Sequence, residues 1–241
     1  MAEPKNVFFA VLQLVFGLAY TAYCILETLV LTFLPRRFRM KDITGDIVLV
    51  TGGGSGIGRL MCLKFAEKGA KIVTWDVNDA GNRETMRQVV ALGAQCRAYT
   101  VDLCDRVAVY QAAARVKEEV GKVDILVNNA GIVTGKKFME SSDDLIVKTF
   151  QVNTFAHFWT VKAFLEDMLE SNKGHVVNIA SMAGWVGCNG LVDYCSSKFA
   201  AVGFDEALRL ELKALGKTGV KTTCVCPVYI STGMFEGVQS R

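Results

Sequence analysis

Tyr194 and Lys198 stand four residues apart in Tyr194-Cys195-Ser196-Ser197-Lys198, a spacing that puts both side chains on one helix face, one turn apart. An ammonium held near a phenol favours the phenolate. The unperturbed tyrosine pKa is about 10, and bringing it toward 7 takes roughly 4 kcal/mol, within reach of Lys198 and a second positive charge acting together in a partly desolvated cleft. Such a pair exchanges protons at working pH. Ser181 ends the β-branched run 175–180, where open α/β sheets place their ligand crevice, and its hydroxyl can hydrogen-bond a reacting oxygen. The spacing alone also describes an exposed helix pair; its weight comes from the motifs around it.

The first of these is Thr51-Gly52-Gly53-Gly54-Ser55-Gly56-Ile57-Gly58, which follows an apolar run and opens into a helical stretch near Arg59. Glycines there permit a tight turn and close backbone approach, and the free N–H groups of a helix N-terminus attract a pyrophosphate. Asp76 ends the next apolar run, 18 residues beyond Gly58, where an acid can accept hydrogen bonds from both ribose hydroxyls of an adenosine. The other reading of Asp76 is a turn or helix-capping residue, helped by Asn78 and Asp79. An acid at this position favours NAD over NADP, since a 2′-phosphate about 4 Å away would be repelled by up to roughly 4 kcal/mol. Neither Ser55 nor Val77 supplies a compensating cation, and Arg59 lies beyond the loop.

These residues require a scaffold of alternating strands and helices. Strands are expected at 46–51, 71–75, 96–101, 123–127, 175–180 and 220–225, with the longest helical stretches at 142–170 and 193–215. That alternation implies an α/β fold, a Rossmann-like doubly wound parallel sheet covered by helices on both faces.

Ahead of it, residues 7–34 carry one formal charge, Glu27. As a helix this segment is about 42 Å long against a hydrocarbon core of roughly 30 Å. It lacks the small-x-small site of a cleaved signal peptide, so an uncleaved anchor is expected, spanning the bilayer or dipping into one leaflet. Pro35-Arg36-Arg37-Phe38-Arg39-Met40-Lys41 places cations beside anionic headgroups on the cytosolic side. Two parts are therefore expected, an anchor over 1–41 and a dinucleotide-binding domain over 42–241. Residues 42–241 hold 22 basic and 22 acidic side chains, giving no basic excess for a nucleic acid. The eight cysteines show no CxxC pair, and with only His157 and His175 no metal site is expected.

The segments 51–58, Asn128-Asn129-Ala130-Gly131, Asn153, Ser181 and Tyr194-Cys195-Ser196-Ser197-Lys198 resemble, in order and spacing, the full motif set of the short-chain dehydrogenase/reductase superfamily. The resemblance implies that Tyr194 donates or accepts the proton, that Lys198 binds the nicotinamide ribose and lowers the tyrosine pKa, that Ser181 positions the substrate oxygen and that Asn153 holds a proton-relay water. It also implies that Asp102 and Leu103 lie beside the adenine, that Asn128, Asn129 and Ala130 lie along the cofactor, and that Pro227, Ile230 and Thr232 border the nicotinamide. With the N-terminal anchor, the chain is similar to the branch of epidermal retinol dehydrogenases and 17-beta-hydroxysteroid dehydrogenases. That branch implies a lipophilic alcohol, retinol foremost or a steroid, an endoplasmic reticulum or lipid-droplet surface, and a homodimer through 142–170 and 193–215.

Two departures stand out. Pro227-Val228 replaces the Pro-Gly of many relatives, and 14 residues follow Pro227, so the sheet is expected to run 3-2-1-4-5-6 without the family's seventh strand, as in a fragment or splice form. A docking protein that keeps the fold without turnover is the competing reading. The intact Asn153, Ser181, Tyr194 and Lys198 favour chemistry.

Overall fold

The structure, a computed structural model, describes residues 4–34 and 40–234. The basic cluster at 35–39 lies outside the described residues. The chain divides into two units, Met1–Asp42 and Ile43–Arg241.

In the first unit, helix α1 runs Pro4–Phe33. Its stretch Phe8–Val30 has mean hydropathy 1.9 with none of it buried, long and apolar enough to cross a membrane. The hydroxyls of Thr21, Thr28 and Thr32 each donate to a carbonyl four residues back, at 2.7–2.8 Å. Their polarity is thus satisfied within the helix, which lowers the cost of apolar surroundings.

The second unit is built on six parallel strands, β1 (Ile47–Thr51), β2 (Lys71–Asp76), β3 (Cys96–Thr100), β4 (Ile125–Asn128), β5 (Gly174–Ile179) and β6 (Val220–Val225), in the order β3-β2-β1-β4-β5-β6. This is the doubly wound sheet that the alternation predicts. Every residue of β1 is buried. Val48 and Val50 pack with Cys62 and Ala66 of α2 (Gly56–Glu67) and Val89 of α3 (Asp79–Ala91). Ile47 and Leu49 share the opposite core with Val109 of α4 (Arg106–Glu119), Phe164 of α6 (Ala156–Ser171) and Leu212 of α7 (Val192–Ala214). Alternating side chains thus feed two faces, so continuous apolar runs were needed rather than a polar alternation. Connections leaving β1 and β4, which pair directly, turn to opposite faces, and a crevice opens between them at the carboxyl ends.

The helix expected over 142–170 is interrupted. α5 (Asp143–Phe150) and α6 are separated by a π-helical turn, Gln151–Phe155, which contains Asn153. Apolar periodicity continues through such a turn, so the sequence pattern did not reveal it.

Candidate active site

The crevice contains a cavity of about 590 Å³ lined by Gly52, Ser55, Gly56, Ile57, Gly58, Asp76, Asp102, Leu103, Asn129, Ala130 and Thr232. Its floor is backbone. Gly52 has φ +64°, and a Cβ there would come within 2.8 Å of the Ala130 Cα. At Gly58 a Cβ would collide with the Gly52 carbonyl. Glycine at both places brings the β1–α2 turn against the β4 end and leaves the N-terminus of α2 facing the cavity.

Asp76 takes the turn role and also lines the cavity. One carboxylate oxygen accepts from the Gly54 N–H and the other from the Asn78 N–H, each at 2.8 Å. It therefore orders the glycine loop and the cap of α3 while lining the cavity. A carboxylate has about four lone-pair sites, so further acceptor capacity remains. Arg59 turns away from the cavity, donating to the Thr85 hydroxyl at 2.9 Å and to the carbonyls of Gly54 and Gly81.

Asn129 and Thr51 tie the central strands together. The Thr51 hydroxyl accepts from the N–H groups of Asn129 and Ala130 at 3.0 and 3.1 Å, and the Asn129 amide donates back to the Thr51 carbonyl at 2.9 Å. Asn128 departs from the expectation, because its side chain does not line the cleft. It donates to Asn178 of β5 at 2.9 Å and accepts from Thr160 at 2.7 Å, since strand alternation turns it into the sheet.

A smaller cavity of about 50 Å³ adjoins the first, sharing Ile57, Asn129, Gly131, Thr232 and Met234 with it, and is lined by Ser181, Tyr194, Lys198, Pro227 and Ile230. Ser181, at the end of β5, opens a 3-10 turn and accepts from the Ala183 N–H at 3.1 Å. Met182 N–H donates to the Pro227 carbonyl at 2.9 Å, which draws the segments after β5 and β6 together. Tyr194 is 4% exposed, Lys198 3%. The Lys198 Nζ donates to the Ile179 carbonyl at 2.9 Å and lies 5.7 Å from the centre of the Tyr194 ring.

Burial dominates the electrostatics of the Tyr194 and Lys198 pair. Burial pushes the Tyr194 phenol above its ordinary value, against a hydrogen bond with Ser181 that lowers it. Burial also depresses Lys198 to about 8. The ammonium is aimed at a carbonyl and is itself desolvated, which shifts both groups toward their neutral forms, although at about 8 Lys198 stays mostly protonated at pH 7.

Asn153 is fully buried. Its side-chain oxygen accepts from the Ile132 N–H at 2.8 Å, and its amide donates to the Ile132 carbonyl and to the Ser197 hydroxyl at 2.9 and 3.0 Å. Both ends of the side chain are thus engaged in joining the loop after β4 to α7. The cavity also includes Val77, Val101, Cys104, Ile132, Val133, Lys148 and Val152, which sequence reasoning did not single out. Those beside Asp76, Asp102, Leu103 and Gly131 were reachable by adjacency, whereas Lys148 and Val152 reach the site only through the packing of α5 and the π turn.

The glycine floor, the helix N-terminus and a carboxylate with acceptor capacity fit an elongated ligand of dinucleotide size. The short chain dehydrogenase family model matches residues 46–241. The chain belongs to the short-chain dehydrogenase family. It is 52% identical over 220 residues to short-chain dehydrogenase/reductase family 16C member 6 of Bos taurus, covering 91% of this chain and 69% of that one. To epidermal retinol dehydrogenase 2 of Homo sapiens it is 50% identical over 221 residues, covering 91% and 71%. Identity to estradiol 17-beta-dehydrogenase 11 of Homo sapiens is 50% over 213 residues, covering 88% and 70%. A short-chain dehydrogenase/reductase from Burkholderia phymatum, solved with NAD, superposes with a TM-score of 0.78 at 33% identity, covering 82% of this chain and 70% of that one. A metagenomic short-chain oxidoreductase solved with NADP gives 0.73 at 28%, covering 78% and 84%. This short-chain dehydrogenase is therefore an oxidoreductase of the retinol and 17-beta-hydroxysteroid dehydrogenase branch, dependent on a nicotinamide cofactor.

Proposed function

We propose that this short-chain dehydrogenase oxidises a lipophilic alcohol, retinol foremost, with NAD, from a membrane surface. The observation that carries the chemistry is the convergence of Ser181, Tyr194 and Lys198 on one small cavity, with the phenol hydrogen-bonded to the serine. The bound nicotinamide supplies the hydride acceptor. Ser181 orients the substrate hydroxyl, and Tyr194, once its own proton has left to solvent, takes the substrate's proton as the phenolate. At pH 7 Lys198, with a pKa of about 8, is mostly charged and favours the phenolate as the proton moves. Asn153 holds Ile132 and Ser197 in place and holds the proton-relay water. Gly52, Ser55, Gly56, Ile57 and Gly58 bind the pyrophosphate. Asp76 reads the ribose, Asp102 and Leu103 flank the adenine, and Asn129, Ala130, Pro227, Ile230 and Thr232 line the path to the nicotinamide.

Retinol and steroid alcohols are both supported as substrates by the names of the relatives. Helix α1 supports an anchoring segment over 1–41, separate from the dinucleotide-binding domain 42–241, at the endoplasmic reticulum or a lipid droplet with the domain in the cytosol. Exposed Val147, Phe155, Phe158, Phe199 and Leu210 on α5, the π turn, α6 and α7 support a homodimer through these helices.

The test is the detergent-purified chain, assayed for NADH and NADPH formation with all-trans-retinol, estradiol and short alcohols, and floated with liposomes before and after removal of residues 1–41. NADH formation fastest with retinol, and flotation only of the full chain, are expected. No turnover with any alcohol by a folded, cofactor-binding protein would favour the docking-protein reading.

A further inference from the structure

We infer that Asp193 is a positioning residue for Tyr194, holding the first turn of α7 against the loop that borders the cofactor cleft; this rests on Tyr194 being the acid-base group. Asp193 is 6% exposed and immediately precedes Tyr194. One of its oxygens accepts from the Tyr194 N–H at 2.8 Å. The other accepts from the Thr134 hydroxyl at 2.6 Å; the Thr149 hydroxyl lies 3.3 Å from it and shares its single proton with the Leu145 carbonyl, nearer at 2.9 Å. These partners are two hydroxyls and a backbone N–H, not cations, and a carboxylate withdrawn from water is costly unless its lone pairs are filled. The position at the start of α7 adds the favourable end of the helix dipole.

What the three bonds connect gives them a purpose beyond stability. Thr134 follows Gly131, Ile132 and Val133, all of which line the cofactor cavity, and Val133 packs on Tyr194, Leu191 and Ala183. Thr149 is buried on α5. Asp193 thus joins three segments that meet at the phenol. Asn153 makes a parallel tie one turn further along, from Ile132 to Ser197. The first turn of a helix lacks intrahelical acceptors for its N–H groups, and Leu191 at the cap of α7 contributes no side-chain bond. Without Asp193 the first turn of α7 loses its side-chain tie to Thr134, leaving the ties at Ser197 and Lys198 one turn further along, and a displacement of about 1 Å at a reacting group costs on the order of a hundredfold in rate.

The experiment compares Asp193→Ala, Asp193→Asn and Thr134→Val with wild type and Tyr194→Phe, in detergent, with NAD and all-trans-retinol. Rates are expressed per NADH-binding site, titrated by NADH fluorescence, and amide hydrogen exchange is followed over 191–198. Asp193→Ala is expected to lower kcat by about tenfold to a hundredfold with NADH affinity retained, and to speed exchange over 191–198 but not in β1 to β3. Asparagine keeps the acceptor oxygen and should restore most of the loss. Thr134→Val, which removes one donor at nearly constant volume, should lie between. A merely structural role would lower the number of NADH-binding sites and leave kcat per site unchanged. That result, or unchanged exchange at 191–198, or an asparagine variant as impaired as alanine, overturns the inference. If Asp193→Ala fails to fold, Thr134→Val decides by the same two readouts; exchange over 191–198 decides even where retinol is not turned over. Full activity in Tyr194→Phe would instead remove the acid-base assignment itself.

Discussion

Between β1 and β3 the cleft is lined by backbone and by a carboxylate that already holds two N–H groups. Between β4 and β6 its lining comes from side chains on the β4 loop, the end of β5, α7 and the segment after β6. In the proposed reading the first half recognises by shape, and the second does chemistry with residues brought together from long range and stripped of water. Damage to the first half should therefore appear in cofactor affinity, and damage to the second in kcat.

Tyr194→Phe should show the largest effect, a kcat lower by about a thousandfold with NADH affinity within a few-fold, since only the exchangeable proton is removed. A change in affinity as large as that in kcat would break the division between the halves.

Gly58→Ala should do the reverse. The added Cβ meets the Gly52 carbonyl backbone and the Asn129 amide, which is itself tied to the Thr51 carbonyl. Cofactor affinity should fall by about a hundredfold, roughly 3 kcal/mol, with kcat at saturating cofactor far less altered. Calorimetric titration with NADH against steady-state kcat checks it.

Asp76→Ser with Val77→Arg should turn the cofactor preference from NAD toward NADP, because like charge at a 2′-phosphate is worth up to roughly 4 kcal/mol before solvent reduces it. The ratio of kcat/KM for the two cofactors reads this. Since Asp76 also orders the Gly54 loop, some loss with both cofactors is expected. An unchanged ratio would leave Asp76 as a turn residue only.

Lys198→Met addresses the catalytic half through stability rather than rate. Burial holds Lys198 at about 8 against an ordinary 10.5, so between these values the unfolded chain binds more protons and wild-type stability rises with pH. Below about pH 8 the buried ammonium costs stability, by about 3 kcal/mol from its shift. The methionine variant should accordingly melt higher than wild type at pH 7 while losing activity, and its advantage should shrink between pH 8 and 10.5. A pH-independent difference in Tm would show that Lys198 is not desolvated in this way.

Most strand limits were legible because each strand is a short, buried β-branched run punctuated by glycine or a capping residue such as Asn78 or Asp105, whereas the strand order was legible only through the family resemblance. The glycine loop, Asp76, Ser181, Tyr194 and Lys198 were legible because their spacing follows local geometry, namely a strand end, a tight turn or one helical turn. The inward turn of Asn128 was not, because strand alternation must be phased against the actual sheet.

By itself, then, the sequence determined the alternation of elements, the apolar helix α1 and the identity of the groups able to bind a dinucleotide and move a proton. Only the tertiary structure decided that the helix over 142–170 breaks at a π turn around Asn153, that Arg59 faces away from the cavity, and that Asp193 joins Thr134 and Thr149 beside Tyr194. Hydrogen-bond partners separated by tens of residues, and the loss of water around a buried phenol and ammonium, depend on how the layers pack, and no local pattern encodes that distance.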